Sequence, residues 1–180
     1  MFPSPFSLMK KKAWPTVLFT ILLLFLFLPT QNGFEIVAPR KQQVLRFIPS
    51  ASDLITIGWR HSVERQPWQE IYRSVDDGQL VLLETRFKAY GAGVPDVDGH
   101  VDRIEDGFLV IRGIERKINH YSLFYTPGSQ YYVETNGIKY PLKDFVPPDT
   151  AITISQQRIS FFDRLKIKWG EEAAFAERNK

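Results

Sequence analysis

Apolar and polar residues beyond position 34 alternate with a period of two far more often than with the helical period of 3.6. This alternation is typical of half-buried strands, and short clusters of turn residues separate the runs. The pattern predicts nine strands, at residues 35–38, 44–48, 54–63, 68–75, 79–89, 108–111, 131–135, 138–142 and 151–156. We therefore expect a mostly β domain.

Three short turns connect neighbouring strands of this pattern, at residues 64–67, 76–78 and 136–137. Asn136-Gly137 is the strongest of them, because both central residues of a type I′ turn need a positive φ. Strands joined by such tight turns must run antiparallel. The sequence therefore predicts a single small antiparallel β-sandwich or a partly open barrel.

The chain begins differently, with an uncharged apolar run at residues 13–28 that follows Lys10, Lys11 and Lys12. This order is typical of a helix that inserts into a membrane with the lysines on the cytoplasmic side. The run lies between a signal-peptide core and a full membrane span in length, and residues 28–33 contain no A-x-A-like cleavage site. We favour an uncleaved single-pass anchor in the cell membrane over a removed signal peptide. The rest of the chain is then periplasmic or extracellular.

These patterns divide the chain into a basic stretch with its anchor at 1–33, a β domain at 34–157 and an amphipathic segment at 158–180. In the last segment, Phe161, Phe162, Leu165 and Trp169 fall on one side of a possible short helix. Two interpretations are open. The helix either closes one end of the β domain or lies at a membrane interface.

Charge and cysteine content exclude several classes of function. The chain has 23 basic and 20 acidic residues, and three of the basic ones are the lysines before the anchor, which leaves 20 against 20. A neutral domain lacks the basic surface that nucleic acid requires. The chain has no cysteine, which excludes disulfides, thiolate metal sites and a cysteine nucleophile.

Candidate chemistry comes from the register that the turns suggest for three central strands. Pairing Val63 with Trp68, and Val75 with Gln79, places His61, Glu70 and Glu84 in one row across the inward face of the sheet. The rows on either side contain Trp59, Tyr72 and Leu82, and Val63, Trp68 and Arg86. Two opposed carboxylates repel unless a proton, a cation or a donor lies between them.

Four interpretations of this row are open. A buried polar network that fixes the register is the simplest one, with His61 and Arg86 neutralising the glutamates. A second is a site for a small polar ligand with an aromatic wall of Trp59, Trp68 and Tyr72. Metal coordination is a weaker one, because the residues lack a diagnostic spacing. A hydrolase using a carboxylate pair is weaker still. We expect no cofactor, no metal and no enzymatic activity.

Gly91 and Gly93 are followed by Val94-Pro95 rather than by a helix. They therefore cannot form the phosphate-binding turn of a dinucleotide site, which needs a helix N-terminus. We expect them to form a backbone bend that ends the long strand before them.

Three strings stand out together: Trp59 to Glu64 (WRHSVE), Pro67 to Tyr72 (PWQEIY) and Glu84 to Pro95 (ETRFKAYGAGVP). With them the chain resembles an uncharacterised bacterial family, the domain of unknown function DUF1850, over about residues 34–145. The resemblance implies a small exported, membrane-associated domain that accompanies a TAXI-type TRAP transporter, with the transporter's membrane subunit or its solute-binding protein as partner. It implies no catalytic residues.

Overall fold

The computed structural model of the chain describes residues 5–75, 78–88 and 100–178, and most of them are in β-strands. Two helices flank the strands, α1 at Pro5–Phe25 and α2 at Phe161–Arg178. The strands are β1 Pro29–Ala38, β2 Gln43–Pro49, β3 Leu54–Arg60, β4 Pro67–Ser74, β5 Leu80–Phe87, β6 His100–Glu105, β7 Phe108–Ile118, β8 Tyr121–Tyr125, β9 Tyr132–Thr135, β10 Ile138–Pro141 and β11 Thr150–Ser160.

The strands form two antiparallel sheets that do not close into a barrel. The smaller sheet has the order β2-β1-β11-β8, and the larger has the order β10-β9-β3-β4-β5-β7-β6. One hydrophobic core joins them, because Phe34 and Ile36 of the smaller sheet and Ile55 and Ile57 of the larger are all fully buried in it. The prediction of a mostly β, antiparallel and open fold is confirmed.

Each of the nine predicted strands has a counterpart, but β6 and β8 were not predicted. β8 is an edge strand of the smaller sheet, where it pairs with β11. Its sequence, Tyr-Ser-Leu-Phe-Tyr, has the aromatic content of a strand but follows β7 after only two residues. The predicted domain boundaries after residues 33 and 157 fall inside β1 and β11.

The turn between β3 and β4 lies earlier than predicted. The His61 amide donates to the Gln66 carbonyl over 2.9 Å, and the Arg65 amide donates to the His61 carbonyl over 3.0 Å. Residues 62–65 therefore form the loop, in which Arg65 has a left-handed φ of 54°. As a result Trp68 pairs with Trp59 rather than with Val63. The predicted opposition of His61 and Glu70 is wrong, because Glu70 pairs with Ile57.

A one-residue bulge decides the register between β4 and β5. Tyr72 pairs with Leu82 as predicted, but the register shifts there, so that Glu84 pairs with Ile71. The extra residue is Leu83. A shift by one residue moves every later side chain to the other face of the strand. The predicted row of His61, Glu70 and Glu84 on one face is therefore wrong, and Arg86 leaves the inward face together with Glu84.

The start of α2 contacts the residues that directly follow α1, at one end of the domain. The Phe162 amide donates to the Leu26 carbonyl over 3.2 Å, and the rings of Phe27 and Phe162 lie 4.9 Å apart. A capping box begins α2: the Asp163 amide donates to the Ser160 hydroxyl over 3.1 Å, and the Ser160 amide donates to the Asp163 carboxylate over 3.4 Å. Within residues 5–75, 78–88 and 100–178, neither helix combines the length and the apolar character that crossing a bilayer requires.

Candidate functional site

A carboxylate lies in the middle of the larger sheet's inner face, where an apolar side chain would be expected. Glu70 alternates along β4 with the buried side chains of Trp68 and Tyr72, and its neighbours across the sheet are Ile57 and Thr85. The Tyr72 hydroxyl donates to Glu70 Oε2 over 2.8 Å. Tyr121 of the opposite sheet lies edge-on to the Tyr72 ring, with centroids 5.6 Å apart, and hydrogen bonding by its hydroxyl lowers the pKa of this carboxylate. The two sheets therefore converge on one acidic group.

Arg116 completes this group of residues, which we call the Glu70 cluster: Glu70, Tyr72, Tyr121 and Arg116. Arg116 pairs with Leu82 across β5 and β7, which places it on the same side of the sheet as Tyr72, although the Arg116 side chain itself is exposed. Its positive charge acts on both Glu70 and Tyr72. The cluster thus contains one carboxyl group, one guanidinium group and two phenols.

Burial shifts the pKa values of the cluster, in which Tyr72 is buried and Glu70 is half-buried. It raises the pKa of Glu70, and the tyrosine hydrogen bonds and the charge of Arg116 only partly oppose this effect. Burial also raises the pKa of Tyr72 and of Tyr121 well above the ordinary value, and the neighbouring carboxylate raises both further. The two phenols therefore stay protonated and act as hydrogen-bond donors to Glu70.

Four aromatic side chains form a row beside this cluster, which we call the aromatic row: Tyr131, Trp59, Trp68 and Phe87. Successive ring centroids lie 5.6 Å, 5.7 Å and 4.6 Å apart, and each pair is stacked. Trp68 is anchored by its indole N–H, which donates to the Thr85 hydroxyl over 2.9 Å. Trp59 and Tyr131 stay half-buried at the other end of the row. The row gives the inner face a rigid, partly accessible aromatic wall.

The structure brings together only part of the predicted row. His61 stacks on Trp68 with ring centroids 5.6 Å apart, so the imidazole extends the aromatic row instead of facing Glu70. Trp59 and Trp68 contact each other, and Tyr72 contacts Glu70. The predicted aromatic wall is therefore present, in a different register.

Glu84 and Arg86 form a separate cluster on the outer face of β5. Arg86 Nε binds one carboxylate oxygen of Glu84, and Arg112 Nε of β7 binds the other over 2.5 Å. Glu84 is only 8% exposed, whereas the side chains of the two arginines are about one-third exposed. Two guanidinium groups thus cover and neutralise one buried carboxylate. This arrangement is an ion-pair network that ties β5 to β7.

Sequence reasoning missed Tyr121, Arg116 and Tyr131. Tyr121 lies on β8, which was not predicted, and Arg116 lies opposite Leu82 only because the register of β5 and β7 shifts between Leu82 and Glu84. The signal available for Tyr121 was the aromatic content of β8. Gly91 and Gly93 lie outside the described residues.

Polar clefts are present at the end of the domain where the helices attach. One of about 680 Å³ is lined by residues of β1, the β2–β3 loop, the β9–β10 turn and α2, among them Gln31, Asn136, Phe161 and Arg164. Ser50, on its wall, is hydrogen-bonded to Thr135 over 2.7 Å, and the network continues to Asn136. This network joins the β2–β3 loop to the β9–β10 turn, and we assign it a structural role. In the part of the chain that the structure describes, no three acidic or histidine side chains are grouped to hold a metal ion.

Residues 55–142 match the model of an uncharacterised family, the domain of unknown function DUF1850. The similarity to this family read from the sequence is confirmed over those residues. The matched region runs from β3 through β10 and includes the Glu70 cluster and the aromatic row. No curated protein and no solved structure is significantly similar to the chain.

Proposed function

We propose that this chain is a non-catalytic binding domain, held at the outer face of a membrane by its N-terminal helix, with the Glu70 cluster as its ligand site. The observation that carries the proposal is the placement of Glu70. A carboxylate whose charged form is disfavoured by burial lowers the stability of a fold, and such groups concentrate at functional sites. In the larger sheet, Glu70 lies near the half-buried aromatic side chains of Trp59 and Tyr131.

The chemistry of the cluster favours a ligand with hydrogen-bond donors. A carboxylate offers about four lone-pair positions, and the two phenols occupy two of them. The remaining lone-pair positions can accept hydrogen bonds from an ammonium or hydroxyl group. Trp59 and Tyr131 would cover an apolar part of the same ligand, as aromatic walls do in small-molecule sites. We therefore propose a small organic amine or polyhydroxyl compound as the ligand class.

The same geometry supports binding rather than hydrolysis. A carboxylate-pair mechanism needs a second carboxyl group at about 5 to 9.5 Å on the same site. Glu84, the predicted second carboxylate, is on the opposite face of β5 and is neutralised by Arg86 and Arg112. Tyr72 and Tyr121 are held as phenols, so neither can act as a base.

Calorimetric titration of the detergent-solubilised full chain with choline, ethanolamine and glucose tests the ligand site. We expect one of these probes to bind the wild type and to bind Glu70→Gln at least tenfold more weakly, which is a loss of about 1.4 kcal/mol. Glu134→Gln is the matched control, because Glu134 is outside the cluster and pairs with Lys139. Equal binding by Glu70→Gln, or binding of none of the probes, would contradict the proposal.

The location at a membrane is supported by the apolar surface of the N-terminal segment. From Trp14 to Leu28 its large apolar side chains are between 38% and 75% exposed. A contiguous apolar surface of this kind marks a site of interaction with a membrane or a partner. We propose the membrane, with the β domain on the periplasmic or extracellular side.

We also propose that the domain works with a TRAP-type transporter of small organic solutes, contacting its membrane subunit or its solute-binding protein. The support for this role is the family resemblance in the three sequence strings. Solute uptake by cells that lack this chain tests it, with uptake by an unrelated transporter as the control. Unimpaired uptake of every TRAP substrate of the cell would remove this role and leave the ligand site untouched.

A further inference from the structure

The exposed aromatic residues of α2 form a surface that the β domain does not use. We propose that the first half of α2 lies in the headgroup region of an anionic bilayer, with Phe161, Phe162 and Trp169 inserted and with Lys166 and Lys168 contacting lipid phosphates. This inference rests on the proposed membrane location of the chain, but it is independent of the ligand site.

The orientation of α2 is fixed by contacts on its other side. Glu171 accepts from Arg46 Nη1 over 3.1 Å and from the Phe47 amide over 3.3 Å, so this side of the helix is held against β2. At about 100° per residue, Phe162 and Trp169 lie about 160° to 180° around the helix from Glu171, and Phe161 lies at the edge of the same sector, about 80° from Glu171. Their exposed fractions are 52%, 38% and 66%. The apolar face of α2 therefore points away from the protein.

This face is continuous with the apolar surface of the N-terminal segment. The Phe162 amide binds the Leu26 carbonyl, and the Phe162 ring contacts Phe27. The exposed apolar side chains of residues 14–28 thus lead directly to those of α2. A bilayer into which residues 14–28 insert would therefore also reach the exposed aromatic side chains of α2.

Charge indicates which lipid surface fits. Residues 161–169 contain three basic residues and one acidic residue, whereas residues 170–178 contain one basic residue and three acidic ones. On the helix, Lys168 and Lys166 flank the aromatic sector on its two sides, and Lys166 Nζ lies 4.6 Å from the Phe162 ring. Basic residues beside inserted aromatics are the pattern of an interfacial helix on anionic lipid.

Site-specific fluorescence of the full chain in vesicles tests this inference. The chain has no cysteine, so Trp169→Cys, Trp14→Cys and Val63→Cys each accept a single environment-sensitive nitrobenzoxadiazole label. Position 14 reports on the N-terminal segment and position 169 on α2. Val63 is 82% exposed in the β3–β4 turn, and β3 separates that turn from the helix-bearing end by about 20 Å.

In vesicles of phosphatidylcholine with phosphatidylglycerol, we expect a blue shift and brighter emission at positions 14 and 169 and no change at 63. Replacing Lys166 by Gln should lower the ratio of inserted to free α2 about fivefold. Shielding of position 14 with a water-exposed label at 169 would overturn the inference and leave the membrane location standing. Exposed labels at both positions would overturn both. Shielding at 169 that varies with the protein-to-lipid ratio would indicate contact between copies and would also overturn it.

Discussion

Replacing Glu84 by Gln tests whether the outer-face cluster stabilises the fold. Glutamine keeps the volume of the side chain, but its amide nitrogen cannot accept from the second of the two arginines that bind Glu84. A hydrogen bond to a charged group contributes about 1.5 to 3 kcal/mol, and removing one partner leaves the other charges uncompensated. Arg86 and Arg112 are about one-third exposed, so solvent screens part of the loss. We expect the free energy of unfolding to fall by about 2 to 3 kcal/mol.

Urea unfolding followed by tryptophan fluorescence measures this loss. In a domain of this size it corresponds to a decrease in Tm of about 5 to 10 °C. Glu134→Gln is the control, because Glu134 and Lys139 form a more exposed pair at 3.7 Å, whose loss should cost less than about 1 kcal/mol. If Glu84→Gln unfolds at the same urea concentration as the wild type, the two arginine contacts do not stabilise the sheet and the reasoning fails.

Three further changes probe other parts of the structure. Gly58→Ala would place a β-carbon 2.2 Å from Tyr132 Cζ; the ring must move, and we expect a loss of about 1 to 3 kcal/mol in unfolding free energy. Ser160→Ala removes the N-cap of α2 and should cost about 1 kcal/mol. The Ser160 hydrogen bond lowers the pKa of Asp163, so the cap's contribution should be lost as pH falls through that lowered pKa. Burial raises the pKa of Glu70 above its ordinary value of 4.5, so the folded state holds this proton more tightly than the unfolded state. The stability of the wild type should therefore fall as pH rises from 4.5 toward the raised pKa. Glu70→Gln should remove that part of the pH dependence.

Each of these changes has a matched control. Gly128→Ala should be nearly neutral, because nothing lies within 4 Å of its added β-carbon. Ser160→Thr keeps a capping hydroxyl and should retain most of the stability. For Glu70→Gln, a stability curve that keeps the wild-type slope between pH 4 and pH 7 would show that burial does not disfavour the charged carboxylate. If Gly58→Ala has the same unfolding free energy as the wild type, the Tyr132 ring moves aside without cost.

The positions of strands were accessible from the sequence because alternation is a local property. Successive side chains of a strand point to opposite faces of the sheet, so alternation in the sequence predicts which of them are buried. Ile55, Ile57, Trp68 and Tyr72 lie on the inward face, as this alternation predicts. The aromatic wall could be predicted for the same reason. The Tyr72 and Leu82 pair was also correct, since it lies between the turn and the first irregularity.

The pairing of charged residues could not be predicted from that local pattern. The β3–β4 turn could begin at several positions in a run of polar residues, and the choice at residues 62–65 moved the partner of Trp68 by four residues. The bulge at Leu83 has no glycine or proline to mark it. It accompanies the irregular pairing with β7, whose Gly113 and Glu115 have positive φ values of 73° and 51°. The register of β5 therefore shifts at the same point against both of its neighbours, β4 and β7.

By itself, the sequence determined that this chain has an apolar N-terminal segment followed by an antiparallel β domain with an aromatic inner face, since local periodicity and composition suffice for these features. Only the tertiary structure decided which glutamate lies on the face between the two sheets. One extra residue in β5 turned Glu84 outward to its arginines, and β8, from the other sheet, brought Tyr121 to Glu70. Both outcomes depend on contacts between strands distant in sequence, and a shift of one residue reverses the face of every side chain beyond it.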